Sequence, residues 1–278
     1  MKKYLLLVQC LTIFNVINVI AQKMPSDYFD EGVKYAEERN YVKALECFQF
    51  IVDNHPKNEL YARSLYNLGF TYYQLKDYNR ALMVFRSILV STFNEKEALG
   101  GGIMDDPYTN YRHRSAQIIC EIYTDTKKYD SALHFLALSD TAFPYLHFCG
   151  NEYAANDVSM ALKYSFLYNK LGEKQKAVSA LLKAVFIELA DNREVIKQLK
   201  FLLQNDTYKN LKQQLDESLT NIYSRTIQDT KKVYTKYYIK FLQTDIDIPY
   251  GFSDDQFDGK KALSEIRNTT FYRMICNL

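Results

Sequence analysis

The chain has 278 residues with 35 basic and 33 acidic side chains, a formal net charge of +2. Both signs are interspersed, so there is none of the clustered basic excess that a nucleic-acid or anionic-membrane surface requires. With no Trp, 5 Pro and 9 Gly but 24 Tyr and 17 Phe, the composition suits a helical protein whose core is built from large aromatic residues.

The first segment reads as an export signal. Met1-Lys2-Lys3 is basic, Tyr4 to Ile20 is largely apolar, and Val19-Ile20-Ala21 ahead of Gln22 offers a cleavage site, so the mature protein is expected to begin near Gln22 with no integral membrane span. The alternative is an uncleaved anchor, against which stand the stretch's borderline length and Gln9, Asn15 and Asn18 within it. A lipoprotein signal fits less well, because Cys10 sits in mid-run behind Gln9.

Next comes an internal repeat. Gly32, Tyr35, Tyr41, Ala44 and Phe48 recur 37 residues later as Gly69, Tyr72, Tyr78, Ala81 and Phe85. Each set predicts two helices joined by a polar turn, Arg39-Asn40-Tyr41 or Lys76-Asp77-Tyr78. The glycine allows close helix approach, and the Ala/Phe pair, four residues apart, sets a small residue beside a large one for interlocking. Pro56 ends the first copy. Two weaker copies follow: Cys120, Tyr123, Tyr129 and Ala132 stand 51 residues after their counterparts, and Ser165, Tyr168 and Ala177 stand 45 further on, with Leu181 four residues after Ala177. The insert at 96–112, with Gly100-Gly101-Gly102 and Asp105-Asp106-Pro107, reads as a loop.

These slots resemble the tetratricopeptide repeat, and with the N-terminal signal the chain is similar to exported tetratricopeptide-repeat proteins of the kind found in Bacteroidota. The resemblance implies an all-α fold: an α-solenoid with two repeats over 25–95, the insert, two divergent repeats over 113–190, and C-terminal capping helices over 191–278. For the cap, Leu199–Tyr208 parallels Ala262–Phe271 in pattern, an apolar helix, a polar break and an aromatic residue. In such arrays the first helix of each pair lines a concave face. Those inward positions fall here on Phe29 and Val33, on Arg63, Tyr66, Phe70 and Tyr73, on Arg114, Gln117 and Glu121, and on Leu162, Phe166 and Asn169. The candidate partner groove is therefore Arg63, Tyr66, Phe70, Tyr73, Arg114, Gln117 and Glu121, an aromatic stripe bordered by two arginines and suited to an extended or helical peptide. The competing reading is that these aromatics only pack against the next repeat.

Catalytic chemistry is hard to place. His55, His113, His134 and His147 are scattered, with no HExxH or CxxC pattern, so no metal and no cofactor is expected. His147-Phe148-Cys149 sets an imidazole near a thiol in sequence, which a nucleophile needs in space. Asp254, Gln256, Asp258, Gly259 and Glu265 outline a calcium loop, against which Lys260 and Lys261 put positive charge in its second half. Cys149 and Cys276 are the pair of cysteines that export would allow to bridge. Asp130-Ser131-Ala132 and Asp140-Thr141-Ala142 match the short O-glycosylation pattern of exported Bacteroidota proteins. The leading expectation is a non-enzymatic scaffold or adaptor of the bacterial cell envelope, periplasmic or extracellular, that binds a protein or peptide in its groove. A glycan- or peptidoglycan-associated binding subunit, with tyrosines stacking on sugar rings, and an enzyme with its site in the 96–112 insert or the cap are the alternatives.

Overall fold

The computed structural model describes residues 23–99, 106–204, 208–228, 233–253 and 256–278. The signal segment at 1–21, Gln22, the Gly100-Gly101-Gly102 run and Asp254 lie outside them. Contacts divide the chain into two compact units, Met1–Thr71 and Tyr72–Leu278.

In the first unit, α1 (Pro25–Glu37) and α2 (Tyr41–Asn54) form a helix pair, and α3 (Tyr61–Gln74) begins. Pro25 starts α1 where its missing N–H costs nothing, and Asn40 caps α2 by accepting from the Lys43 amide. The pair closes on Phe48, which is 1% exposed; its ring lies edge-on to Phe29 at 5.9 Å, and Tyr28 stacks on Phe50 at 4.0 Å.

The second unit carries α4 (Tyr78–Leu89), α5 (Tyr111–Asp125), α6 (Tyr129–Thr141), α7 (Gly150–Lys170) and α8 (Lys174–Leu182). The repeat slots recur in the structure as they do in the sequence. The small-and-large pairs Ala81/Phe85, Ala132/Leu136 and Ala177/Leu181 are all 0% exposed, as Ala44 is in the first unit. Each turn has the same left-handed residue, at Arg39 (φ 59), Lys76 (φ 61), Lys127 (φ 57) and Gly172 (φ 78). After each of these, the next amide bonds back to the carbonyl of the repeat tyrosine: Asn40 to Tyr35, Asp77 to Tyr72, Lys128 to Tyr123 and Glu173 to Tyr168. That bond satisfies an orphan carbonyl at the helix end and turns the chain into its partner helix. The insert is pinned at its base: Ala98 bridges to Tyr108, Glu95 holds Arg112 at 2.7 Å, and Asn110 exchanges two hydrogen bonds with the backbone of Leu146.

Past α8 the helical solenoid gives way to a mixed region, which corrects the expectation of capping helices alone. Helices α9 (Arg193–Gln204) and α10 (Leu211–Thr220) lead into β1 (Tyr223–Gln228), β2 (Val233–Phe241) and β3 (Thr244–Asp247). These strands form an antiparallel sheet in the order β1-β2-β3. A short hairpin, β4 (Phe252–Ser253) and β5 (Gln256–Phe257), precedes α11 (Gly259–Arg267) and α12 (Thr270–Cys276). Along β2 the residues Tyr237, Ile239 and Phe241 alternate inward, and they join Ile246, Ile248, Leu199, Leu215, Ile266 and Phe271 in one core with Val178, Leu181 and Leu182 of α8. The sheet with its helices thus closes the open end of α8, the work expected of a polar-faced cap. Among the described residues no helix is long and apolar enough to cross a membrane.

Candidate functional site

The inward positions of α5 and α7, with the end of α3, enclose a hollow of about 310 Å³ lined by Tyr73, Glu121, Leu162, Lys163 and Phe166 among others. Leu162 and Phe166 lie four apart on α7 and form its apolar floor; Phe166 is 44% exposed, with the Lys170 ammonium 5.3 Å from its ring centre. The rim is charged. Lys163 stands 3.7 Å from Glu121, and the Tyr73 hydroxyl donates to the other Glu121 oxygen at 3.3 Å. Burial, reinforced by the Glu121 and Asp125 carboxylates, pushes the Tyr73 phenol up to about 12, so it remains a donor at neutral pH.

Behind the rim runs a chain of hydrogen bonds whose direction is fixed. His113 Nδ1 lies 3.0 Å from the Ser139 carbonyl and 2.9 Å from that of Phe143, and since carbonyls only accept, Nδ1 carries the proton. Nε2 therefore accepts from the Gln117 amide at 2.9 Å, leaving the Gln117 oxygen to accept from Lys163 at 2.8 Å. Gln117 thereby aims the Lys163 ammonium at the hollow. Burial holds the His113 pKa below its ordinary 6.5, against the favourable pull of the two carbonyls. A depressed folded-state value means that the unfolded chain binds the proton first. Stability is then fully present above about 6.5 and falls as pH drops toward the folded value. Thermal melts from pH 7.5 to 5 should show this decline, and His113→Gln should flatten it; equal slopes in the two proteins would contradict it.

Of the residues expected in the groove, Tyr73 and Glu121 line this hollow with Leu162 and Phe166, while Gln117 reaches it only through its bond to Lys163. Arg114 does not border the hollow: its guanidinium pairs with Asp106, whose second oxygen accepts from Tyr145 at 2.6 Å. Arg63, Tyr66 and Phe70 share α3, and Phe70 is 36% exposed. Lys163, Thr124 and Asp125 were missed from sequence. Lys163 follows Leu162 and was in reach of the same reading, but no charge pattern along one helix announces a partner on another.

The chemical candidates have other duties. His147 Nδ1 accepts from the Cys149 backbone amide at 2.9 Å, so that nitrogen is not available as a base for the thiol. Burial pushes the Cys120 thiol up to about 11, which keeps it protonated and unreactive at neutral pH. Cys149 and Cys276 are both free. Asp258 caps α11 by accepting from the Lys260 and Lys261 amides, and Glu265 accepts from the Gly251 amide at 2.7 Å, so two carboxylates of the outlined calcium loop are occupied by the backbone. Among the described residues no group of three or more His, Cys, Asp or Glu could hold a metal ion.

Comparison with known proteins gives a family model described as tetratricopeptide repeat, matching residues 62–89. No curated protein matches the chain. Among solved structures it is similar to MamA 41-end from Desulfovibrio magneticus RS-1, at 19% identity over 65% of this chain and 84% of that one, with a TM-score of 0.47. It is also similar to TTC0263, a thermophilic TPR protein of Thermus thermophilus, at 20% identity over 71% of this chain and 87% of that one, with a TM-score of 0.38. The matched segment is a tetratricopeptide repeat, and its slots recur around it in sequence and in turn geometry.

Proposed function

We propose that this chain is a non-enzymatic scaffold of the bacterial cell envelope, exported by its N-terminal segment, which holds a peptide of a protein partner in the hollow around Phe166. One observation carries this reading. A large aromatic residue, Phe166, lies open beside Leu162, while Lys163, Glu121 and Asp125 supply charge of both signs at the edge. An apolar anchor site ringed by polar groups is the usual composition of a peptide-binding hot spot. The export part rests on the basic, apolar and small-residue order of residues 1–21.

The test is capture of envelope proteins on residues 22–278, identification of the retained protein, and affinity measurement with its binding peptide. Phe166→Ala should weaken that peptide by about 2 kcal/mol or more, roughly thirtyfold, while the melting temperature stays near wild type because the ring is exposed. Retention that is indifferent to Phe166→Ala, or retention on peptidoglycan alone, would overturn the reading.

A further inference from the structure

The other face of α7 carries a second, larger groove. Asp157, Ala161, Tyr164 and Tyr168 recur at intervals of four, three and four residues, turned away from Leu162 and Phe166 by the helical period. With α6 and α8 they enclose about 850 Å³. That volume is within the range of sites that take several side chains or a drug-sized molecule rather than a lone ion.

Its walls are uneven in charge. Asp140 of α6 and Asp157 of α7 both line it, and the Tyr164 hydroxyl donates to Asp140 at 3.1 Å. The rings of Tyr164 and Tyr168 lie nearly parallel, 18° apart with centres 6.1 Å from each other. Desolvation, and after it the Asp140 charge, raise the Asp157 pKa, so the ionised form of Asp157 is disfavoured where it lies. The nearby cations relieve this only in part, through Lys236, which acts on Asp157 against those two causes. Lys176 is paired with Glu173. Lys236 of β2, the cation that acts on Asp157, is bonded to Asp247. Lys183, on the α8 wall, is not among the charges acting on Asp157.

We propose that this groove receives lysine or arginine side chains from an extended basic segment of a partner protein. The carboxylate pair would hold the cationic head by charge-assisted hydrogen bonds, and the tyrosine faces would cover its alkyl stem. Charge complementarity selects the occupant: an ammonium or guanidinium relieves the like-charge pair, which a neutral or acidic segment would leave or worsen. The groove lies on a different face from the Phe166 hollow and stands or falls separately from it.

The test is fluorescence anisotropy of the full chain with a labelled nine-residue peptide of alternating Lys and Ala, its Glu-Ala counterpart, and unlabelled spermidine as competitor. Because the chain itself carries a net charge of +2, general attraction of a basic peptide is weak at physiological salt. The Lys peptide should bind and the Glu peptide should not. The double variant Asp140→Asn/Asp157→Asn should lose at least tenfold in affinity with an unchanged or higher melting temperature, Asp157→Lys should lose more, and Met83→Ala, at an exposed residue of α4, should bind as wild type. Undiminished binding in both carboxylate variants would overturn the proposal. So would spermidine competing as strongly, mole for mole, as the unlabelled peptide, since that would mark a polyamine site instead.

Discussion

Gly32→Leu should destabilise the first helix pair by about 1–3 kcal/mol, Phe48→Ala should do so by about 3–5 kcal/mol, and the two together should cost clearly less than their sum. Even a single methyl at Gly32 would meet Phe48 Cε1 at 2.8 Å, Cζ at 2.9 Å and Cys47 Cβ at 3.1 Å. Those ring atoms belong to a side chain that is 1% exposed and held by Phe29, so they have little room to yield. The gain in helix propensity from replacing glycine, about 1 kcal/mol at most, works in the other direction and is outweighed. Removing the Phe48 ring opens the very space that a leucine at 32 would enter, hence the non-additivity. Urea denaturation of the four proteins of this cycle measures it, and strictly additive losses would show that Gly32 and Phe48 do not share a contact.

Phe271→Ala should cost about 3–5 kcal/mol and lower the melting of the second unit as a whole. Phe271 is 1% exposed and sits edge-on between Phe186, 5.4 Å away just past α8, and Phe241 of β2, 6.1 Å away. Through it the sheet and the last repeat share one apolar core. Were the sheet-bearing region an independent appendage, calorimetry of the variant would show a separate early transition while the repeats melted at their original temperature. The shared core predicts one displaced transition, because exposing the sheet's inner face also uncovers Leu181 and Leu182.

The repeats were legible because each of their determinants is local. Ala81 and Phe85 lie four apart on one helix, and Tyr72, Lys76 and Asp77 close one turn within six residues, so the pattern survives in sequence whatever lies around it. In the cap, the Tyr237, Ile239, Phe241 alternation was there to be read as a strand. Its hairpin signal was absent: the β2–β3 turn is Leu242-Gln243 with φ of 46° and 63°, where such a two-residue turn normally places Asn or Gly. Leu242 takes that backbone because its side chain packs against the core, a gain no local pattern displays.

The site divides in the same way. The sequence by itself determined the helical register, and with it that Tyr73, Gln117, Glu121, Leu162 and Phe166 occupy inward slots, because a helix of fixed period assigns faces without reference to its neighbours. Only the tertiary structure decided what each side chain does there. Arg114 occupies an inward slot yet is drawn to Asp106 of the insert, while Lys163 is aimed by Gln117, itself fixed by His113 and two carbonyls at the end of α6. Asp140 and Asp157 become a like-charged pair only because α6 packs beside α7. Charges act through space over a few ångströms, and the elements that bring them within that range lie tens of residues apart in the chain.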